Sequence, residues 1–585
     1  MTPILDPRNG DIEDDASSTK RRSMLSLAGS LLAEISLPKL AIAWMLLIGF
    51  PGLLLGAAPL LVSIWIAAVW SHAANIFYEI LPVLLLPPLM AIGWFGGRPL
   101  LRLAESSFWS LNALAVQPAY IVFREGIRHL AEQLLASRIS EARRGSFRAG
   151  AAAASGLLVC GLGFGVMILV WPTTRWIGSL ADLTPLHRLA PVVLANGVVI
   201  IAGYFAVAAL IWGIADATMA QPRDLRDFAA RTTGGRIWRV AHLSDIHTVG
   251  ERYGFRIESG RSGPRGNERL RQALARLDEI HTADPLDVIL ITGDLTDAGR
   301  SAEWAEFFAA LAAYPRLVEL VIALPGNHDV NVVDRASPAR MELPTSPMKR
   351  LRQVRTISAL AMLQGTRLQV VDTKAGKLDG TLADALKRHS GEMTAFADNG
   401  SARLSRSLAE LWATIFPLVM PPVTDDGLGI VVLNSNAETH FSFTNALGLV
   451  SAEQAYAFEI AARQYPRACW IVALHHHVIE YPKPAKALSE RIGTALINGS
   501  WFIRRLQHLA DHVVIMHGHR HVDWIGECGG LLIVSAPSPV MEAIDCPETY
   551  FYVHTLTIGT DGRLRLLNPE RIGVRGQQVA DEAWT

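Results

Sequence analysis

Four long apolar stretches, all before residue 213, decide how this chain must be divided. A helix crossing the hydrocarbon layer of a membrane needs roughly 20 mostly apolar residues, because the layer is about 30 Å thick and each helical residue rises about 1.5 Å. The stretches 40–70, 76–95, 149–171 and 189–212 meet that length. The first is long enough to tilt or kink at Pro51, and a tight hairpin around Gly56 to Pro59 is an open alternative that changes the parity of the topology. After about residue 235 the sequence reads as an ordinary soluble domain, so the apolar excess sits in the first third.

At 585 residues, more than one structural unit is required. The polar leader 1–38, with Asp11, Glu13, Asp14 and Asp15 followed by Lys20, Arg21 and Arg22, is expected to be a disordered tail. The apolar run behind it starts too late and extends too far for a cleaved signal peptide, which makes it a permanent anchor. Region 39–212 is therefore expected to be an α-helical transmembrane region, and 213–235, ending in Gly234 and Gly235, a linker.

Arginines set the orientation. Arg98, Arg102, Arg124, Arg128, Arg138, Arg143, Arg144 and Arg148 crowd the segment between the second and third stretches, whereas the next loop offers Arg175 and Arg188. By the excess of positive charge on cytoplasmic loops, both termini and the carboxy-terminal domain are expected on the cytoplasmic side of the cell (inner) membrane, with the chain multi-pass. The stretch Ile121 to Ile139 has apolar residues near helical spacing beside arginines. It either lies on the inner membrane surface or packs as an ordinary amphipathic helix on the rest of the protein.

A formal net charge of zero gives no basic surface for a nucleic-acid polymer, and none is expected as a partner. Cys160, Cys469, Cys528 and Cys546 show no paired metal-ligand spacing and read as reduced thiols.

From 236 to 575, short apolar strands alternate with helical runs. The expected strands are Ile237 to Leu243, Val288 to Thr292, Val318 to Leu324, Ile430 to Leu433, Trp470 to Leu474, Val513 to Met516 and Leu531 to Ser535. Helical runs such as Asn267 to Ile280 and Ser301 to Ala313 lie between them, which indicates an α/β domain. The residues that follow the strands carry the chemistry: Asp245-Ile246-His247, Gly293-Asp294, Gly326-Asn327-His328-Asp329, His475-His476-His477 and Gly518-His519-Arg520-His521. Groups beyond strand ends converge on one rim. Carboxylate and amide oxygens together with imidazole nitrogens suit Mn²⁺, Fe²⁺ or Zn²⁺. Each piece alone is common, but the ordered set, every member behind a strand, is not.

This set closely resembles the calcineurin-like metallophosphoesterase superfamily, from about Arg236 to about Arg571. Finer similarity at His242 to His247, Gly293 to Asp297, Gly448 to Gln454 and Ile533 to Ser538 resembles the bacterial branch related to class III cyclic-nucleotide phosphodiesterases. The resemblance implies an α/β/β/α sandwich and two divalent metal ions. Asp245, His247 and His521 would hold one ion, Asn327, His475 and His519 the other, and Asp294 would bridge them. It also implies that His328 stabilises the transition state or protonates the leaving oxygen, and that Asp329 orients His328 or its loop. Relatives commonly read His-His-Pro where this chain has three histidines, so the ligand register stays open between His475 and His476. His475 is favoured because it directly follows the strand. The glycines at 293, 326 and 518 suit turns that aim these side chains, although ordinary turn formation explains them as well.

A second departure is the stretch 337–425, longer than a connection and with helical patterns at Lys349 to Leu363 and Leu382 to Phe396. It is expected to be a helical insertion forming a cap or partner surface. His242 and His517 are expected to be core or supporting residues, and Trp470, Trp501 and Trp524 packing residues. The chain is thus expected to be a membrane-anchored phosphoesterase whose partners are the lipid bilayer and a phosphate-ester substrate, with phosphodiesters such as cyclic nucleotides leading. Alternatives are a hydrolase of a lipid-linked or nucleotide-activated envelope precursor, and a membrane sensor with a phosphoesterase output domain.

Overall fold

The computed structural model describes residues 5–8, 50–76, 116–135, 141–178, 186–230 and 236–574, with isolated positions between 38 and 49. Breaks fall at 252, 258–262, 335–339, 343–345, 483–490, 493, 495 and 543–547. The expected span 76–95, beyond its first residue, and most of the 1–38 tail lie outside the described residues. Leu5, within the tail, packs against the carboxy-terminal core. The chain divides into two compact units, Ser36–Met219 and Ala220–Thr585, the latter joined by Met1–Ile35.

The first unit contains helices α1 (Phe50–Ile76), α2 (Gln117–Leu135), α3 (Glu141–Val170) and α4 (Leu186–Ala217). Among the described residues, two helical stretches are long and apolar enough to cross a membrane, Gly145–Thr173 and Leu189–Ala217, and Gly52–Ala67 is a shorter apolar one. Small residues let α1 and α4 approach closely: a Cβ added at Gly56 would lie 1.8 Å from the Val193 carbonyl oxygen. Asn196, buried within α4, accepts from the Arg175 amide at 3.0 Å and donates to the Arg175 and Gly56 carbonyls at 2.7 and 3.2 Å. The described part of Ile121 to Ile139 lies on α2, which reaches Leu135. Arg124 pairs with Asp216 of α4 and with Glu125, and Arg128 donates to Glu125 at 2.7 Å.

The second unit is built on two mixed sheets. Among the described residues the larger runs β1 (Arg223–Asp224), β11 (Trp524–Cys528), β12 (Leu531–Ser535), β10 (Val513–His517), β9 (Cys469–Ala473), β8 (Leu428–Val432), β7 (Leu418–Met420), β5 (Gln369–Asp372), β6 (Lys377–Thr381). The smaller runs β14 (Leu564–Leu566), β13 (Thr549–Ile558), β2 (Ile237–Leu243), β3 (Val288–Ile291), β4 (Val321–Ala323), with β15 (Glu570–Val574) also on β13. One core joins both sheets and the helices beside them, including Val240, Ile289, Ile471, Val514, Leu274 and Phe307. Strands β2, β3 and β4 are mutually parallel, as are β8, β9, β10 and β12. These parallel strands deliver the residues after β2, β3, β4, β9 and β10 to one rim.

The stretch 337–425 is more than a helical insertion. Besides the helices Pro347–Gln364 and Ala402–Ile415 it contributes β5, β6 and β7, which extend the larger sheet beyond β8. Its apolar residues Val370, Leu418 and Val419 are buried, so the segment continues the core as well as adding surface. The second helical pattern breaks at His389 into Leu382–Arg388 and Ser390–Asn399.

Candidate metal centre

Strand β2 stops at Leu243, and the chain then enters a conformation that L-residues avoid. Asp245 and His247 have φ of 56° and 47°, Asp294 after β3 has 51°, and His519 and His521 after β10 have 77° and 52°. Among the described residues these are the non-glycine positions with positive φ. Each left-handed residue costs on the order of 1–2 kcal/mol, and such strain persists where the surroundings enforce it. Here the enforcement is visible: the Asp245 amide donates to the Gly293 carbonyl at 3.0 Å, the His247 amide to Asp294 at 2.9 Å, and the Gly518 amide to His475 at 3.0 Å. The strained residues are all motif residues, and together they turn acidic and imidazole groups inward.

Two groups of side chains hold the expected ligands, Asp245 with His247 and His521, and Asp294 with His475 and His519, and in a third His247 meets Asp297 and His328. Asp245 Oδ1 lies 3.4 Å from His521 Nε2. In the second group His475 Nε2 stands 3.0 Å from His519 Nδ1, 3.1 Å from Asn327 Oδ1 and 3.3 Å from Asp294 Oδ2. That same Asp294 oxygen is 3.7 Å from His247 Nε2, so it lies between the groups. Atoms bound about 2.1 Å from one ion at tetrahedral angles stand roughly 3.4 Å apart. Buried Asp245 Oδ1 and both ring nitrogens of His247 also lack a hydrogen-bond partner. The spacing, the orphaned atoms and the mixed oxygen and nitrogen donors all fit divalent cations.

The structure groups His475 with Asp294 and His519, while His476 meets Ser435 Oγ through Nδ1 at 2.9 Å with its ring 4.4 Å from that of His519. The other ring nitrogens of His475 and His519 are taken by carbonyls, which fixes the orientation of these two rings. His475 Nδ1 donates to Thr292 O at 2.7 Å and His519 Nε2 to Ala446 O at 3.1 Å. His328 sits beside the groups, its amide donating to Asp294 Oδ1 at 2.8 Å and its Nδ1 to the Asp297 carbonyl at 2.7 Å. Asp329 braces the neighbouring turn: it accepts from Thr296 N at 2.9 Å, Thr296 Oγ1 at 2.6 Å and Gly326 N at 2.8 Å. Gly326 is required for space: a Cβ there would lie 2.1 Å from both the amide nitrogen and Oδ1 of Asp294.

Charges are strongly coupled here. Burial opposes ionisation of Asp294, yet His475, His328 and His247 hold its carboxyl well below the usual range. Burial likewise disfavours charged His475, but Asp294 outweighs it and pushes the imidazole up to about 9. The carboxylates thus demand positive charge at this rim. Asp329 moves the other way, up to about 6, through burial and the nearby Asp294 charge.

Two contributors end stretches that carry the finer resemblance, but the sequence assigns them no role of their own. Asp297 faces His247 Nδ1 at 3.3 Å and accepts from Ile257 N at 2.6 Å; its spacing after Asp294 was the available signal. Ser538, at the end of the stretch Ile533 to Ser538, donates to the carbonyl of Asp245 at 2.7 Å.

Residues 239–384 match the family described as calcineurin-like phosphoesterase. The chain carries a calcineurin-like metallophosphoesterase domain. The matched segment is the phosphoesterase domain of that family, and it accounts for about a quarter of the chain. Solved structures similar to it include a dimetal phosphatase from Danio rerio, 9% identical over 58% of this chain and 99% of that one, with a TM-score of 0.32. A NAD nucleotidase from Haemophilus influenzae is 11% identical over 58% of this chain and 57% of that one, TM-score 0.29. A candidate 5′-nucleotidase from Staphylococcus aureus is 12% identical over 58% and 55%, TM-score 0.30. The chain thus spans little more than half the length of the last two proteins. No curated protein matches the chain.

Proposed function

We propose that the domain hydrolyses phosphodiesters, cyclic nucleotides among them, with two divalent ions, Mn²⁺, Fe²⁺ or Zn²⁺, at the rim. Asp245, His247 and His521 hold one, Asn327, His475 and His519 the other, and Asp294 serves both. The supporting observation is the single carboxylate oxygen of Asp294 lying within 3.7 Å of nitrogens from both groups. Bound there, the ions would lower the pKa of a shared water and offset phosphate charge.

The chain's own residues supply the rest. The carbonyls of Thr292 and Ala446 orient His475 and His519. With Nδ1 of His328 committed to Asp297, proton delivery to the leaving oxygen falls to Nε2. Asp329 keeps the turn carrying Asn327 and His328 against the Asp294 loop.

The second part of the proposal is a multi-pass anchor in the cell (inner) membrane with the catalytic domain in the cytoplasm. It is supported by the two long apolar helical stretches and by their outward side chains, Leu162, Ile168 and Leu169 on α3 and Leu194, Val207 and Ile211 on α4. The arginine-rich segment before α3 supports the orientation. The same apolar surface favours a second reading, in which the substrate is a lipid-linked phosphodiester presented at the bilayer.

The deciding experiment is hydrolysis of a chromogenic phosphodiester and the corresponding monoester by the detergent-solubilised full chain, with and without Mn²⁺, beside Asp294→Asn. Metal-dependent diester cleavage that the variant loses is expected. Equal activity of parent and variant, or cleavage of the monoester alone, would sink the reading. A preference for a lipid-linked diester over a cyclic nucleotide would select the second one.

A further inference from the structure

The turn Gly518-His519-Arg520-His521 carries, on the proposed reading, one ligand of each metal ion, with Arg520 between them. Both flanking residues are left-handed, at φ 77° and 52°, so the separation of the imidazoles depends on how residue 520 is held. Its side chain is not a solvated spacer. Nη1 donates to both carboxylate oxygens of Glu480 at 3.0 and 2.9 Å, in a pair whose side chains are 7% and 12% exposed. The guanidinium carbon also lies 5.4 Å from the centre of the Tyr481 ring.

Tyr481 is fixed in turn. Its hydroxyl shares a 2.8 Å hydrogen bond with Ser535 Oγ on β12, and Ser535 donates to Val522 O at 2.7 Å. Its ring lies within 6° of parallel to His517, the last residue of β10, at 6.2 Å. The segment following His475 therefore grips the turn following β10, and both segments present ligands to the same rim. A shielded ion pair loses heavily when one partner is removed, because the other charge is left uncompensated.

We propose that Glu480, Arg520 and Tyr481 form a clamp that positions His519 and His521 for simultaneous binding of two metal ions. The clamp rests on the dinuclear reading of the site. None of the three residues is a ligand, and each acts through the backbone of the turn.

The test uses the detergent-solubilised full chain, stripped by chelation and titrated with Mn²⁺ by calorimetry, with electron paramagnetic resonance to detect the exchange-coupled ion pair. Glu480→Gln and Arg520→Gln are each expected to weaken Mn²⁺ affinity by roughly 10–100-fold, the range for groups that orient ligands. They should also lose the coupled signal in protein that, metal-free, is still folded by circular dichroism, although each single variant melts below the parent. The double variant should be no weaker than the worse single one, because both act through one contact. The nearly isosteric Glu480→Gln decides alone if Arg520→Gln does not fold. Parent-like affinity and spectrum in a folded variant would overturn the clamp while leaving the dinuclear site standing. A parent that binds fewer than two Mn²⁺ would overturn both.

Discussion

Asp245, His247, Asp294, His519 and His521 were visible in the sequence as ligand types behind apolar strands, but their left-handed backbones were not. Pattern reveals which groups reach a rim, whereas φ is imposed by hydrogen bonds between separate strand ends. The register of the three histidines needed tertiary information for the same reason, since it is Ser435 that takes Nδ1 of His476. Gly326 tests how tightly the rim is built. Gly326→Ala places a methyl group against Asp294, and a displacement near 1 Å costs about 100-fold in rate. Steady-state hydrolysis should show that loss in kcat, and a variant within a few-fold of the parent would mean that the loop yields. Glu303 gives a pH signature behind the site. Burial and the Asp297 charge raise its carboxyl from 4.5 to about 8, although it accepts from the amides of Ala298 and Arg300 at 2.8 and 3.0 Å. A folded pKa above the unfolded one means that the folded state binds more protons between the two values. Its contribution is therefore complete below about 4.5 and is lost as pH rises through about 8. Glu303→Gln should melt like the parent near pH 4.5 and above it at pH 9. A constant difference across that range would refute the raised pKa.

Elements with continuous apolar runs were legible almost to the residue: β2 and β12 span the expected positions, β3 and β10 differ by one residue at one end, and β9 is shifted by one residue. Such strands are buried on both faces and need no partner to declare themselves. β6 is the edge strand, where Lys377, Asp379 and Gly380 leave no apolar run to read, and β5 and β7 beside it have only four and three residues. β13 was missed although it is the longest described strand, because polar residues interrupt its apolar run, among them buried Thr549, His554 and Thr557. Among the helices, α4 continues to Ala217, beyond the expected end at 212, because Asp216 is compensated by Arg124 and Tyr120 of α2. Asn196 is the other polar point in α4, and its amide bonds the Arg175 backbone. Asn196→Leu leaves those backbone groups and the Gly56 carbonyl without that partner, at a cost of about 1–3 kcal/mol. Thermal unfolding in detergent should show a lowered transition, and an unchanged one would mean that the Arg175 segment finds other partners.

At the scale of the whole molecule, the sequence separated an apolar third from an α/β domain because composition changes sharply, but composition cannot locate the residue where one structure hands over to the next. The expected linker 213–235 contains the end of α4 and, from Ala220, chain that belongs to the second unit. There β1 pairs with β11, Trp524 Nε1 donates to Asp224 at 2.8 Å, and the Leu225 amide donates to Ile525 at 3.0 Å. Leu225 and Phe228 pack against the core, and Ala229 bridges to Leu567. A fragment beginning at Gly234, the natural cut if composition alone is followed, discards all of these. Two partly buried large apolar side chains and an edge pairing represent roughly 2–4 kcal/mol. A fragment from Ala220 is therefore expected to unfold in urea at clearly higher concentration than one from Gly234, with the added chain also shielding β11 from edge pairing with another molecule. Coincident urea midpoints and equal solubility would place the boundary at 235 and make 220–230 a tether. A later midpoint for the longer fragment makes it the outermost strand of the sheet that carries His475 and His519, which ties the integrity of the metal rim to residues that the sequence offered as a spacer.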